Sequence, residues 1–472
     1  MNHATCSVHN SPAVTIVIVN WNKRDYVIKL LDSLAVMEYD NYRIVVVDNA
    51  STDDSVSAIS RHRLMVTLLE NKENLGGTGG FNTGINYACA SFEQRYIWLL
   101  DNDAEVLPGT LRRLVQVMEG DATIGAAGSC IMSIEDNKRI VEAGAMIGWT
   151  TGTSEPCLRY ANLYDYHGPK VFDVENVSAC STLLRDSVVK HVGLMDERYF
   201  LHWDDIDFCT RIIAAGFRVV AVIDAPVFHV AEKGYNPAVS YYNFRNSMLF
   251  MSKFSTGIRR ARVFFVILAN YLTLYHYLSL LGHEAVARHL RDASDDFAAG
   301  RFGGSRTSIG QPNECQVAVN ESDYFGRNKR VLVFAIGPFE DVSSAVVRIR
   351  EHSPGATITI AVAEDRAAVY HFEGVDRVIT FNLLHGGVLT VIKTAWEIMT
   401  AGFDCGVTAG SFLPLPFAFL IRRNMVFNLL DGFSKCPVSL HDAWKIPVSF
   451  LLGRFSALLR LPIFYIQSSR YR

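Results

Sequence analysis

No Cys-x-x-Cys pair occurs in this chain, although nine cysteines are scattered between positions 6 and 436. That scatter excludes a zinc ribbon and a disulfide framework, and it reads as reduced thiols in a cytoplasmic protein. An excess of charge of either sign is also missing: 45 Lys and Arg face 48 Asp and Glu, a formal net charge of -3. No nucleic-acid partner is expected from such a balance. A secretory leader is not visible, because Val14–Val19 is too short for the apolar core of one and lacks a positively charged lead. Finally, no glycine-rich turn follows the first apolar run, where Trp21-Asn22-Lys23 stand instead. A dinucleotide-dependent oxidoreductase needs that turn there and an acid about twenty residues on, so this class is disfavoured.

What is present begins with Asp101-Asn102-Asp103, which ends the apolar run Tyr96–Leu100. The run reads as a buried strand. Side-chain alternation places Asp101 and Asp103 on one side, where they could hold a divalent cation against a diphosphate; a turn capping the next helix is the plainer alternative. Two earlier runs, Val14–Val19 and Ile44–Val47, are each followed by polar residues and a helical stretch. This βαβ pattern puts Trp21, Asp48 and Asp101 at the carboxyl ends of strands, where open α/β sheets bind ligands. Trp21 can stack on a base and Asp48 can accept from an imide N–H, against the alternatives of a core tryptophan and a capping aspartate.

Further on, Asn74–Gly84 reads as a glycine-rich loop entering a helix near Ile85. Gly76, Gly77, Gly79 and Gly80 would let backbone N–H groups approach a phosphate or sugar. Phe200–Arg211 contains Trp203-Asp204-Asp205 and opens an amphipathic helix reaching about Ala215. The helix dipole and an ordinary i,i+4 pair with Arg211 account for Asp207, but the aromatic lead into a doubled aspartate suggests a carboxylate at a pocket edge. His229 lies two residues beyond the apparent strand Val219–Ile223 and its extension to Val227, where ligation and a structural role are evenly matched.

In order, these segments resemble the family-2 inverting glycosyltransferases with the GT-A nucleotide-sugar fold, over roughly Val14 to Gly304. The resemblance implies Trp21 beside the nucleobase, Asp48 on uracil or thymine, Asn102 and the glycines along the nucleotide sugar, and Asp101, Asp103 and His229 on Mn2+ or Mg2+. It also implies Asp205 as catalytic base, with Trp203 and Asp204 on the acceptor side; Asp204 stands where many relatives have Glu. Gly76–Phe81 and Trp203–Phe208 look most like galactofuranosyltransferases, while Tyr241–Asn246 is similar to segments of rhamnosyltransferases too. The partners implied are a nucleoside diphosphate sugar and a glycan or lipid-linked acceptor. A catalytically inactive carbohydrate-binding scaffold of the same fold is the alternative. For Asp205, a helix N-terminus lowers the pKa whereas a dry pocket and Asp204 raise it, so the sign is open.

The 472 residues suggest two or three domains. The expected fold class is α/β: a GT-A domain with a Rossmann-like mixed sheet, then helices, then a smaller Rossmann-like unit. The expected boundaries are 1–255 for the catalytic domain, 256–304 for a helical segment, 305–329 for a linker, 330–445 for the accessory α/β domain and 446–472 for an amphipathic tail. Within the helical segment, Val263–Leu281 is nearly long enough to span a bilayer, but Asn270 and His276 argue against spanning. Arg259, Arg260 and Arg262 precede it, so either an interfacial helix or a buried one is expected. Ile446–Ile466, with Arg454 and Arg460, is a second membrane-surface segment whose length Pro462 should limit. The accessory unit looks like the first half of a heptosyltransferase-type GT-B enzyme, without a phosphate loop at Gly337-Pro338-Phe339; acceptor binding or homo-oligomer formation is its expected role.

Overall fold

The computed structural model describes residues 11–134, 136–159, 161–230, 237–280, 283–305, 321, 325, 330–335, 339–363, 367, 374–381, 388–409, 424–428, 432–435 and 445–471. Most of the expected linker and Gly337-Pro338 lie outside these residues.

Runs rich in β-branched and aromatic residues become strands, and those ending at Asn20, Asp48 and Asp101 are largely buried on both faces, as sheets flanked by helices require. Thus β1 (Val14–Asn20), β2 (Tyr42–Asp48), β3 (Val66–Glu70) and β4 (Tyr96–Asp101) lie parallel in the order β4-β1-β2-β3. Helices α1 (Arg24–Leu34), α2 (Ser55–Ser60) and α3 (Gly76–Ser91) connect them. After β5 (Ala104–Val106) and α4 (Thr110–Gly120), β6 (Ile124–Ser133), β7 (Ile140–Glu142), the hairpin β8 (Ala145–Gly148)–β9 (Thr153–Pro156), β10 (Val171–Asp173) and β11 (Ser181–Arg185) follow. Then come α5 (Asp186–Val192), α6 (Asp204–Ala214) and β12 (Arg218–His229). Strand β11 runs antiparallel between β4 and β6, and β12 pairs parallel with β6, which makes the sheet mixed. Strand β12 carries a register shift between Val222 and Pro226 and continues to His229. His229 is therefore the last residue of a strand, not a residue beyond one; the bulge lets the pairing absorb Pro226.

The expected glycine loop is a helix. Helix α3 starts at Gly76 and includes Gly77, Gly79, Gly80 and Gly84. The missing side chains allow close packing: a β-carbon on Gly80 would lie 2.5 Å from Val19 Cγ1, and one on Gly84 would lie 2.3 Å from Val17 Cγ1. The helix thereby sits on β1 at a distance that a larger residue would prevent.

Three helices, α7 (Pro237–Phe254), α8 (Gly257–Leu280) and α9 (Glu284–Ala298), form a layer beside α6. The second α/β unit comprises β13 (Arg330–Ala335), α10 (Phe339–His352), β14 (Thr357–Ala363), β15 (Arg377–Phe381), α11 (Val388–Ala401), β16 (Cys405–Ala409), β17 (Asn424–Asn428) and β18 (Gly432–Lys435). Its sheet has the order β15-β14-β13-β16-β17-β18, parallel except for the last pair.

The chain then returns to the first helical layer. Helix α12 (Lys445–Ser468) packs along α8: a β-carbon on Gly453 would fall 2.5 Å from Thr273 N, Arg260 Nη1 donates to Ser468 Oγ at 2.8 Å, and Arg460 pairs with Asp295 at 2.7 Å. Two expectations change here. Pro462 does not end the helix, because it lies on the exposed face, where the carbonyl it leaves unpaired can meet water. Arg260 is not a lipid-facing charge, since it is only 1% exposed, and α8 is chiefly a packing helix with Val263, Phe264, Ile267, Leu268 and Leu272 buried. Helix α12 differs: Leu451, Phe455, Leu458, Leu459, Ile463 and Ile466 are 55–67% exposed along one face. Both helices are long and apolar enough to cross a membrane by length and composition.

Candidate active site at the strand tips

The polar residues that end β1, β2 and β4 are tied to one another. Asn102 Nδ2 donates to Asn20 Oδ1 at 3.0 Å, and Asn20 Nδ2 donates to Asp48 Oδ1 at 3.0 Å. The Ser51 amide donates to Asp48 Oδ2 at 2.8 Å. Asp48 is 1% exposed, and each of its oxygens accepts a hydrogen bond that braces the strand tips. Trp21 is 51% exposed on the following turn, and the residues after it, Asn22, Lys23 and Tyr26, line a hollow of about 530 Å³ with Thr52 and Asp53. That exposure removes the core-tryptophan alternative.

The acidic triplet meets His229. Asp101 closes β4, and Asp103 follows in the turn to β5, which pairs antiparallel with the end of β12 and so brings His229 alongside. His229 Nε2 lies 3.0 Å from Asp103 Oδ1. Burial, and then the charge of Asp103, push the Asp101 carboxyl up to about 7. Burial works in the same direction on Asp103, but the hydrogen bond and charge of His229 hold that carboxyl below its ordinary range. Two crowded carboxylates, one resisting ionisation, with an imidazole beside them form an O,O,N donor set. A divalent cation fits this set, since its charge would offset both the burial and the mutual repulsion.

The doubled aspartate is presented by a strained approach. Phe200, His202 and Trp203 have φ values of 66°, 62° and 71°, which non-glycine residues seldom adopt. Side chains from α7 hold this turn. Asn246 Nδ2 lies 2.8–2.9 Å from the carbonyl oxygens of Tyr199, Leu201 and His202, and Arg245 Nη2 donates to Tyr199 O at 3.1 Å. On the other side the Thr78 amide donates to Phe200 O at 3.2 Å, and a β-carbon on Gly76 would lie 2.1 Å from that oxygen. Gly76 itself has a φ of 73°. The glycines at the start of α3 thus make room for this turn as well as for β1, while a β-carbon on Gly79 would meet Leu75 and Gly77 has ordinary space.

Asp204 and Asp205 then diverge. Asp204 Oδ2 accepts from Thr78 Oγ1 at 2.8 Å, and the residue is 7% exposed, so it ties α6 to α3. Asp205 faces a cavity of about 350 Å³ whose walls include Glu142, Asn176, Ser178 and Trp203. Trp203 is 5% exposed, with its ring 5.3 Å from that of Phe250. Burial, then the charges of Asp204 and Glu142, raise the Asp205 carboxyl well above its ordinary range. The direction is upward, with desolvation its largest cause and backbone hydrogen bonds at Ile206 and Ala179 opposing it. Asp207 is more than a surface pair. It is 0% exposed, accepting from Arg211 Nε at 2.8 Å and Tyr199 OH at 3.1 Å and contacting Lys253 Nζ.

Several residues of this site carry no strong sequence signal. Glu142 Oε1 and Asn176 Oδ1 are sealed from solvent with no hydrogen-bond partner among the described residues, and both line the Asp205 cavity. Each stands alone in an unremarkable stretch. Arg245 and Asn246 do fall in a motif, but their target turn is more than forty residues away.

Residues 15–188 match the model of glycosyl transferase family 2. This region is a family-2 glycosyltransferase domain built on a mixed sheet. The protein is accordingly a glycosyltransferase. The chain is 24% identical over 222 residues to galactofuranosyltransferase GlfT1 of Mycobacterium tuberculosis, covering 46% of this chain and 70% of that protein. It is also 24% identical over 307 residues to the N-acetylglucosaminyl-diphospho-decaprenol L-rhamnosyltransferase of the same species, covering 58% of this chain and 94% of that protein. Among solved structures it is similar to the mannosyltransferase PcManGT of Pyrobaculum calidifontis in complex with GDP-Man and Mn2+, with a TM-score of 0.40 and 19% identity over 63% of this chain and 77% of that one.

Proposed function

We propose that the protein transfers a sugar from a nucleoside diphosphate donor to a hydroxyl of a glycan or lipid-linked acceptor in cell-wall or polysaccharide synthesis, with inversion at the anomeric carbon. The observation that carries this reading is the meeting of Asp101, Asp103 and His229 at the strand tips, with Asp205 in the neighbouring cavity. Asp101, Asp103 and His229 would hold Mn2+ or Mg2+, which neutralises the charge of a departing diphosphate. Trp21 offers its exposed ring to the base. Asp205 takes the proton of the acceptor hydroxyl as that oxygen attacks the anomeric carbon from the face opposite the nucleotide. The bond from that carbon to the diphosphate breaks, and its electron pair leaves with the nucleotide. The raised pKa of Asp205 suits a base that must capture a proton near neutral pH. The names of the relatives support galactofuranose or rhamnose as the sugar moved, with a UDP- or dTDP-sugar as the donor of this proposal.

The acceptor side of the proposal includes the membrane. The exposed apolar face of α12 supports reversible contact with the cytoplasmic leaflet, with Arg259, Arg262 and Arg470 at one end of the helical layer facing anionic headgroups. The second sheet is assigned to acceptor binding or self-association.

A panel of UDP- and dTDP-sugars with Mn2+ or Mg2+ tests the reading by nucleotide release. Metal-dependent release from one of them is expected. Binding of a donor without release or transfer to any glycan or polyprenyl-linked acceptor would favour an inactive carbohydrate-binding scaffold.

A further inference from the structure

Cys180 stands immediately before β11, antiparallel to the end of β4, and its carbonyl accepts from the Asp101 amide at 3.2 Å. This pairing places the Cys180 side chain beside the Asp101 carboxyl. The Cys180 Sγ, an Asp101 carboxylate oxygen and a ring nitrogen of His229 all lie within 4.8 Å of one another. Three separate parts of the sheet therefore contribute one ligand atom each, and Asp103 adds a second carboxylate 3.0 Å from His229. Cys180 is 4% exposed, so its thiol is held in the wall of the site.

The chemistry of this donor set differs from an all-oxygen one. Hard ions such as Mg2+ and Mn2+ are satisfied by carboxylates with an imidazole and have little use for sulfur, whereas Zn2+ and Co2+ readily take a Cys-His-Asp environment. We infer that Cys180 is a conditional metal ligand: a borderline-soft divalent ion such as Zn2+ or Co2+ binds through the Cys180 sulfur together with Asp101 and His229, while Mn2+ or Mg2+ uses the same site without it. This inference rests on the proposed metal-binding role of Asp101, Asp103 and His229. When Zn2+ or Co2+ enters, the S–H bond gives its proton to solvent as the metal–sulfur bond forms, and no electron transfer is involved. The consequence is competition, with Zn2+ occupying the Mn2+ site and held there by a bond that Mn2+ does not make.

The test uses the full chain and Co2+ as the probe. Titration with Co2+ should give visible d–d bands and a near-ultraviolet sulfur-to-cobalt charge-transfer band. Cys180→Ser should abolish the charge-transfer band and weaken Zn2+ binding by at least about 10- to 100-fold, the range that even outer-shell partners command. Mn2+ affinity, read by electron paramagnetic resonance, should be unchanged in that variant. His229→Ala should lose the same band although all nine cysteines remain, which separates Cys180 from thiols elsewhere in the chain. Co2+ bound with d–d bands but without charge transfer in the wild-type protein would overturn the inference while leaving the metal site standing, and that result needs no variant to fold. Failure to bind either Co2+ or Mn2+, with or without nucleoside diphosphate, would overturn the metal site and the inference together.

Discussion

The two sheets of this protein are built from the same material and end differently. In both, parallel strands of β-branched residues are buried, as in β1 and β2 of the first sheet and β13 and β14 of the second. The first sheet's tips carry Asn20, Asp48, Asp101 and His229, linked by hydrogen bonds or gathered around one point. At the tips of the second sheet, β13, β14 and β16 end in Ala335, Ala363 and Ala409. Strand interiors specify a fold, and strand tips specify chemistry. Among the described residues, these three tips of the second sheet are apolar, although a reading of hydrophobic pattern alone would treat the two sheets as equals.

Changes at the first sheet's margin should therefore be costly and changes at the second's should be nearly silent. The largest effect is expected at Asp205. Asp205→Asn preserves shape but cannot accept the acceptor's proton, so turnover should fall by about 10²- to 10⁴-fold with donor affinity near wild type. Steady-state kinetics beside direct donor titration check this, and near-normal transfer would remove Asp205 from the role of base.

Next comes the strained turn. Asn246→Ala frees the carbonyls of Tyr199, Leu201 and His202, and the carboxylate downstream loses its fixed position. A loss on the order of 10²-fold in kcat is expected, the scale of a misplacement of about 1 Å, with nucleotide affinity retained because the donor-side residues lie elsewhere. An unchanged kcat would show that the turn holds itself.

A smaller and directional effect is expected at Asp204. Its charge helps raise the Asp205 carboxyl, and a base works only when ionised, so activity should climb as pH rises through the pKa of Asp205. Asp204→Asn removes that charge, lowers the pKa and should move the acid limb of the pH–kcat profile to lower pH. A shift toward higher pH would contradict the assigned cause. The smallest effect belongs to the second sheet: Arg377→Ala breaks an exposed pair with Glu397 at 2.6 Å and should change stability by no more than about 0.5 kcal/mol, with kcat unaltered.

Much of this organisation is legible in the sequence because apolar runs and their polar ends are local. The strands ending at Asp48 and Asp101, helix α6 behind Asp205 and the strands β13 to β16 all follow from periodicity. Other parts depend on contacts between distant segments and leave no local trace. The glycines of α3 look like a loop because sequence cannot show that β1 and the turn at Phe200 press against them. Asp204 and Asp205 are adjacent and chemically identical, yet Thr78 draws one inward and a cavity receives the other. Likewise α8 and α12 have similar composition, but only the face that α12 leaves uncovered distinguishes an inner helix from an outer one. Cys180 reads as one of nine scattered thiols until the pairing of β11 with β4 sets it beside Asp101.

The central claim is that Asp101, Asp103 and His229 make the strand tips a cation-dependent diphosphate site, and calorimetry of UDP and dTDP binding with and without Mn2+ tests it most directly. The wild-type protein should bind one of the two nucleotides in a Mn2+-dependent manner, and Asp103→Ala should lose that dependence while its circular dichroism and melting temperature stay close to wild type. An Asp103→Ala protein that binds the nucleotide with the same affinity and the same response to Mn2+ would contradict the claim and reduce the triplet to a turn.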